Sequence, residues 1–204
     1  MARSSPPTKI MIIRHAEKPP DSPNTDGPWD VLANGQSGSG KSLVVAGWQR
    51  AGALNAFFAP FQSKPANSAV ATPSYIYAAN PTGETQRPWE TVTPLAAWLG
   101  YTQGTPQFNL SYSVGSGEQD LVTSVLTLKG VVLICWEHHN IMPNIMQAIN
   151  NSATPISNFS SIPKKYPNVF YLVWILDLSP DGTSYTWTAV SQNLMAGDKP
   201  SAAV

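Results

Sequence analysis

Two arginines and three histidines stand beyond short apolar runs of this sequence. Arg14-His15 follow KIMII, Arg87 lies beyond SYIYAA, and His138-His139 follow VVLICW after one glutamate. A guanidinium group presents a fixed fork of donors that suits phosphate oxygens, and a neutral imidazole can attack phosphorus. These residue types predict phosphoryl transfer through a histidine, provided that the apolar runs bring them together.

The apolar runs alternate with segments that have helical spacing. Strands are predicted over residues 9–14, 74–79, 131–136, 169–176 and 185–190, and helices over residues 43–58, 88–99, 121–128 and 141–149. Alternating strands and helices favour an α/β fold, a three-layer α/β/α sandwich. Its central sheet should be mostly parallel, with an antiparallel strand near one edge. Ligands of such sheets bind beyond the carboxyl ends of the strands, where the histidines and arginines lie.

Length and composition predict one domain over residues 1–204, with a core over about 8–191 and a long loop over 19–42. With 204 residues, 42% of them hydrophobic and 12% charged, the chain can bury a sizeable core. The net charge is zero, so the chain does not have the excess of basic residues that is typical of nucleic-acid-binding proteins.

The longest apolar run, residues 169–176, is far shorter than the roughly 20 residues of a membrane-spanning helix. No apolar leader follows the first residues, which favours a cytoplasmic protein. We expect no nucleic-acid partner and no membrane partner; the oligomeric state stays open.

Metal and cofactor sites are not predicted. Cys135 is the one cysteine of the chain, and with only three histidines it cannot form a Cys/His zinc cluster at the usual spacing. We therefore expect neither a metal ion nor an organic cofactor.

A nucleotide-binding motif is the main rival signal. Residues 35–42, GQSGSGKS, satisfy the phosphate-binding pattern G-x-x-x-x-G-K-[ST]. That pattern requires a buried strand before it, whereas residues 28–34 contain a proline, polar side chains and no apolar run. The sequence therefore favours a flexible loop here over a nucleotide site.

Four segments, in this order, resemble the histidine phosphatase superfamily, the phosphoglycerate mutase-like proteins. They are IMIIRHAEKP, LVVAGWQRAGALNAFF, RPWETVTPLAAWLG and VLICWEHHNI. The resemblance covers roughly residues 8–150, and residues 165–191 fit the terminal strands. It implies that His15 is the nucleophile, that Arg14 and Arg87 bind the phosphoryl group, and that His138 is the second histidine, which stabilises the transferred charge.

Two further roles implied by the resemblance have several candidates here. A third basic phosphate ligand could be His139, Lys18 or a set of backbone N–H groups. The acid that protonates the leaving oxygen is expected after the second-arginine helix, where Glu118 is the first candidate and Asp120 the next. Glu17 and Glu137 remain alternatives for that acid.

The resemblance implies a phosphatase that forms a phosphohistidine and acts on a small phosphorylated molecule or a phosphoprotein. A mutase that moves phosphoryl groups between hydroxyls is one alternative. It is disfavoured because Ala16 replaces the usual glycine, and because Lys18-Pro19 lead into a loop without the asparagine and serine typical of mutases. A catalytically weak module that binds phosphorylated ligands is the other alternative.

Overall fold

Six strands form one mixed sheet at the centre of the fold. The computed structural model describes residues 6–20, 29–82 and 85–200. The strands are β1 (Lys9–Arg14), β2 (Tyr75–Ala78), β3 (Phe108–Asn109), β4 (Val131–Trp136), β5 (Leu172–Leu178) and β6 (Tyr185–Ser191), in the spatial order β3-β2-β4-β1-β5-β6. Strands β1 to β4 pair in parallel, whereas β5 is antiparallel to both of its neighbours, β1 and β6. The predicted sheet, mostly parallel with an antiparallel strand near one edge, is confirmed.

In the described part of the chain, four helical segments connect the strands, besides a single 3-10 turn at Phe159–Ser161. They are α1 (Val45–Phe58), α2 (Arg87–Trp98), α3 (Glu118–Val125) and α4, which joins His138–Asn140, a π-helical stretch Ile141–Met146 and Gln147–Asn150. Pro60 follows α1, and Pro88 occupies the first turn of α2, where its missing N–H has no intrahelical partner to lose. Pro143 lies inside the π-helical stretch, where a proline cannot donate to an α-helical bond.

The helices cover both faces of the sheet, because alternate residues of each strand point to opposite sides. Ile10 and Ile12 of β1 pack in one core with residues of α3 and α4. Met11 and Ile13 pack in the other core with Leu54 of α1 and with residues of α2. The predicted three-layer α/β/α sandwich is therefore confirmed.

The structure shifts the starts of three predicted elements by three residues and adds one element. Helix α4 begins at His138, not at residue 141. Strand β5 begins at Leu172, not Val169, because the Val169 amide donates to the Pro167 carbonyl in a turn. Helix α3 begins at Glu118, earlier than the apolar spacing suggested. The two-residue strand β3 is too short to show an alternating pattern, and the sequence did not predict it.

The predicted long loop has no helix or strand between residues 29 and 42, only isolated bridges such as Val31 with Ser37. Residues 21–28 of that loop lie outside the described part. Within the described ranges, no helix has the length and apolar character needed to cross a membrane.

Candidate active site

The ends of β1 and β4 lie side by side at one edge of the sheet. Arg14 pairs with Trp136 in the parallel register, and the amide of His15 donates to the Trp136 carbonyl at 3.1 Å. The chain therefore leaves both strands at the same point, with His15 on one side and Glu137-His138 on the other. This is the position in which open α/β sheets bind ligands.

A cavity of about 470 Å³ opens at this edge. Its lining consists of His15, Lys18, Thr85, Arg87, Val114, Glu137, His138, His139, Asn140 and Asn168. Six of the candidate residues predicted from the sequence thus line one cavity: His15, Lys18, Arg87, Glu137, His138 and His139. Glu137 is the one carboxyl group among the described residues that line it.

His15 is a buried imidazole with a defined tautomer. Its ring is 2% exposed, and Nδ1 lies 2.7 Å from the carbonyl oxygen of Ala16. Because that oxygen can only accept, Nδ1 carries the hydrogen and Nε2 carries the lone pair. Burial, followed by the charge of Arg14, lowers the pKa of His15 to about 3, and Arg87 adds to the effect. The ring is therefore neutral at physiological pH.

Arg14, a predicted phosphate ligand, is 1% exposed and is not among the residues that line the cavity. Its Nη1 donates to Oδ1 of Asn168 at 2.6 Å, and its guanidinium carbon lies 4.2 Å from the centre of the Phe170 ring. A cation over an aromatic face is favourable, more so when it is desolvated. Asn168 and Phe170 are 154 and 156 positions from Arg14 and carry no motif, so the sequence analysis missed both.

Arg87 is the first residue of α2 and reaches back to the loop before α1. Its Nε donates to the Ser42 carbonyl at 3.3 Å, and its Nη2 donates to the Gly40 carbonyl. The motif-like segment 35–42 thus turns carbonyl oxygens toward a cation, whereas a phosphate-binding loop turns amides toward an anion. Glu90, also in α2, accepts from the Ser42 hydroxyl of the same loop at 2.8 Å.

Glu137 organises the first turn of α4. Its Oε2 accepts from the His139 amide at 2.9 Å and from Nδ2 of Asn140 at 3.1 Å, and its Oε1 lies 2.8 Å from Nδ1 of His138. Burial acts to raise the pKa of Glu137, but the two neighbouring histidines outweigh it and lower the pKa to about 2. The carboxylate is therefore ionised. The His139 side chain is 79% exposed, at the rim of the cavity.

Glu118, the first candidate for the proton donor, does not reach this cavity. It is 3% exposed, and its Oε1 accepts from Nε1 of Trp136 at 3.0 Å and from the Gly115 amide at 2.7 Å. Trp136 packs on the α3 and α4 face of the sheet, and its indole holds the carboxylate on that side. Glu118 lines a separate cavity with residues of α4. Asp120, two residues later in α3, is exposed.

Glu17 is held in a buried ion pair. Its Oε1 lies 2.6 Å from Nη2 of Arg50, and the same nitrogen lies 2.7 Å from Oδ1 of Asp198. Arg50 is 2% exposed, so both carboxylates compensate a desolvated guanidinium. Through Arg50, Glu17 connects the segment after His15 to α1 and to Asp198, and it does not line the cavity.

Several solved structures are similar to this chain. No protein-family model and no curated protein matches it. A crystal structure from Agrobacterium tumefaciens, described as that of a candidate phosphohistidine phosphatase SixA, superposes with a TM-score of 0.46 at 13% sequence identity. The superposition covers 91% of this chain and 97% of that chain.

Proposed function

We propose that this protein is a phosphatase that transfers a phosphoryl group to His15 and then hydrolyses the phosphohistidine. The observation that carries the proposal is the state of His15. A buried, neutral imidazole, with Nδ1 held by the Ala16 carbonyl, leaves Nε2 free to attack inside a cavity that also holds Arg87 and His138. We propose further that the whole chain acts as one domain and that its substrate is a small phosphorylated molecule or a phosphoprotein.

In the first step, the Nε2 lone pair of His15 forms a bond to phosphorus, and the bond from phosphorus to the leaving oxygen breaks. In such a reaction, the protein mainly has to stabilise the negative charge on the equatorial oxygens of the transferred group. Arg87, Lys18 and His138 line the cavity and supply donors to those oxygens, while Arg14 supplies positive charge. Arg14 has the further effect of keeping His15 unprotonated.

The leaving oxygen departs with the bonding electron pair and needs a proton unless it is a weak base. Glu137, the carboxyl group of the described cavity lining, is ionised at neutral pH and so cannot donate one. We therefore assign Glu137 to orienting His138 and the first turn of α4. Esters whose leaving group is stable without a proton, such as aryl phosphates, should be hydrolysed faster than alkyl phosphates.

In the second step, a water oxygen attacks phosphorus from the opposite side and the bond to Nε2 breaks. The electron pair of that bond returns to Nε2, and the water proton passes to the ionised Glu137 carboxylate or to bulk water. Inorganic phosphate leaves, and His15 returns to its neutral form.

Rapid-quench labelling tests the proposal. A ³²P-labelled aryl phosphate, assayed in EDTA, should label the wild-type protein transiently, and peptide mapping should place the acid-labile label on His15. His15→Ala should take up no label and release no phosphate, while its circular dichroism stays that of the wild type. Tight vanadate binding without turnover would instead favour the phospho-ligand binding module, and a label on another residue would remove His15 as the nucleophile.

A further inference from the structure

Three consecutive residues at the start of α4 bring metal-ligand atoms close together. Glu137, His138 and His139 each offer one such atom, and all three atoms lie within 4.8 Å of one another. Oε1 of Glu137 lies 2.8 Å from Nδ1 of His138 and 3.9 Å from Nε2 of His139. The two imidazole rings are 3.9 Å apart between centroids.

The contact between Glu137 and His138 is close but poorly aligned for a hydrogen bond. Nδ1 of His138 is buried, and among the described residues it has no hydrogen-bond partner of acceptable geometry, although Oε1 lies only 2.8 Å away. A histidine nitrogen and a carboxylate oxygen that lie this close together can both be ligands of one cation. A cation between them would satisfy both atoms.

The ligand set favours zinc and similar transition metals. Imidazole nitrogen binds Zn²⁺ at about 2.0–2.1 Å and carboxylate oxygen at about 2.0–2.2 Å. Two ligands at those distances in a tetrahedral site stand about 3.3 Å apart, between the two separations observed here. The exposed His139 ring can turn so that the longer separation, between its Nε2 and Oε1 of Glu137, becomes shorter. Three protein ligands leave a position open for water or for a phosphate oxygen.

We propose that Glu137, His138 and His139 bind a zinc-class divalent cation at the mouth of the cavity, and that the bound cation inhibits the phosphatase. This replaces the expectation from the sequence that the chain has no metal site. Inhibition follows because the cation holds His138, which the reaction needs, and because its open position retains phosphate in the cavity. The inhibition rests on the proposed function, whereas the binding does not.

Direct binding tests the site. After treatment with EDTA and gel filtration, titration calorimetry of the wild-type protein with Zn²⁺ should give one site per chain. His139→Ala should weaken that site at least about tenfold, which is the lower end of the loss caused by removing even an outer-shell partner of a metal. Asp120→Asn, which removes an exposed carboxylate from α3, should bind Zn²⁺ as the wild type does. Mg²⁺, which prefers oxygen ligands, should not compete.

Inhibition is measured on an aryl phosphate, with each variant normalised to its own rate in EDTA. The wild type should lose activity as Zn²⁺ fills the site and regain it with EDTA, and the inhibition curve of His139→Ala should shift by the same factor as its binding curve. Equal Zn²⁺ affinity in His139→Ala and the wild type would overturn the site. Binding without inhibition would overturn the regulatory part. If the wild-type protein shows no phosphatase activity, the proposed function is wrong. Calorimetry would then still decide whether the metal site exists.

Discussion

The Thr91 hydroxyl of α2 accepts a hydrogen bond from the Ala16 amide at 2.8 Å and donates one to the Arg87 carbonyl at 2.7 Å. Thr91 and Ala16 lie 75 positions apart in the chain. Their bond fixes the backbone directly after His15 to the first turn of α2, from which the Arg87 side chain extends. The buried Thr91 hydroxyl thus links the backbone next to His15 to the backbone of Arg87.

Thr91→Val should lower kcat by about ten- to a hundredfold, because small displacements of reacting groups cost rates of this order. It should also lower the free energy of unfolding by about 1–3 kcal/mol, since the Ala16 amide loses its buried acceptor. Thr93→Val is the matched control: the Thr93 hydroxyl donates to the Trp89 carbonyl at 2.8 Å in the same helix. Equal kcat values for the two variants would contradict a positioning role for Thr91.

Arg87→Ala should reduce kcat/KM by about 10²–10³, the usual loss on removing one electrostatic donor to a transition state. Arg87→Lys keeps the charge but loses the forked donors that also bind the Gly40 and Ser42 carbonyls. The kcat/KM of Arg87→Lys should therefore lie between those of the wild type and Arg87→Ala. Vanadate affinity should follow the same order, as measured by inhibition of steady-state turnover. Normal kinetics in both variants would remove Arg87 from the site.

Glu118→Gln should leave kcat close to that of the wild type, because the amide oxygen can still accept from Trp136 and the residue lies outside the cavity of His15. A general acid at this position would instead cost about 10²–10⁴ in rate. Glu137→Gln should lower activity, since it removes the ionised group beside His138. Parallel pH profiles of kcat for the two variants decide between the carboxyl groups, and a large loss in Glu118→Gln alone would reinstate Glu118.

The low pKa of His15 affects both activity and stability. Protonation removes the nucleophile, so a pKa of about 3 means that His15 itself causes no loss of kcat/KM between pH 7 and pH 4. Between its ordinary pKa of 6.5 and about 3, the unfolded chain binds the proton and the folded chain does not. The free energy of unfolding therefore falls as the pH falls through this window, and it carries no such penalty above 6.5.

His15→Gln lacks that titration. Denaturant unfolding of the wild type and His15→Gln from pH 8 to pH 4 should show the wild type losing more stability than the variant as the pH drops below 6.5. A constant difference between the two proteins over this range would show that the pKa of His15 is not depressed.

Lys41→Ala should leave phosphatase activity near that of the wild type. The Lys41 side chain is exposed, and the segment acts through backbone carbonyls that the substitution preserves. Isothermal titration with ATP should show no binding that depends on Lys41. Tight ATP binding that disappears in the variant would restore the nucleotide-binding interpretation of residues 35–42.

The strands and the placement of His15 and His138 could be predicted from local pattern. Apolar runs such as residues 10–13 of β1 and 131–136 of β4 predict strands that are buried on both faces of a sheet, so the polar residues that follow them must lie at its edge. Parallel pairing of β1 with β4 then brings Arg14-His15 and Glu137-His138 together. These inferences depend on residues that are neighbours in the chain, which is the information that a sequence pattern contains.

Only the tertiary structure decided which partners these residues have. The sequence favoured Glu118 as the acid and kept Glu137 as an alternative, but the Trp136 indole holds Glu118 on the far face, while Glu137 lines the cavity. Arg14 is held by Asn168, which lies 154 positions away, and no local pattern encodes a contact at that separation. Which charged groups come into contact depends on side-chain direction, burial and long-range contacts. These features exist only once the helical layers have packed on the sheet.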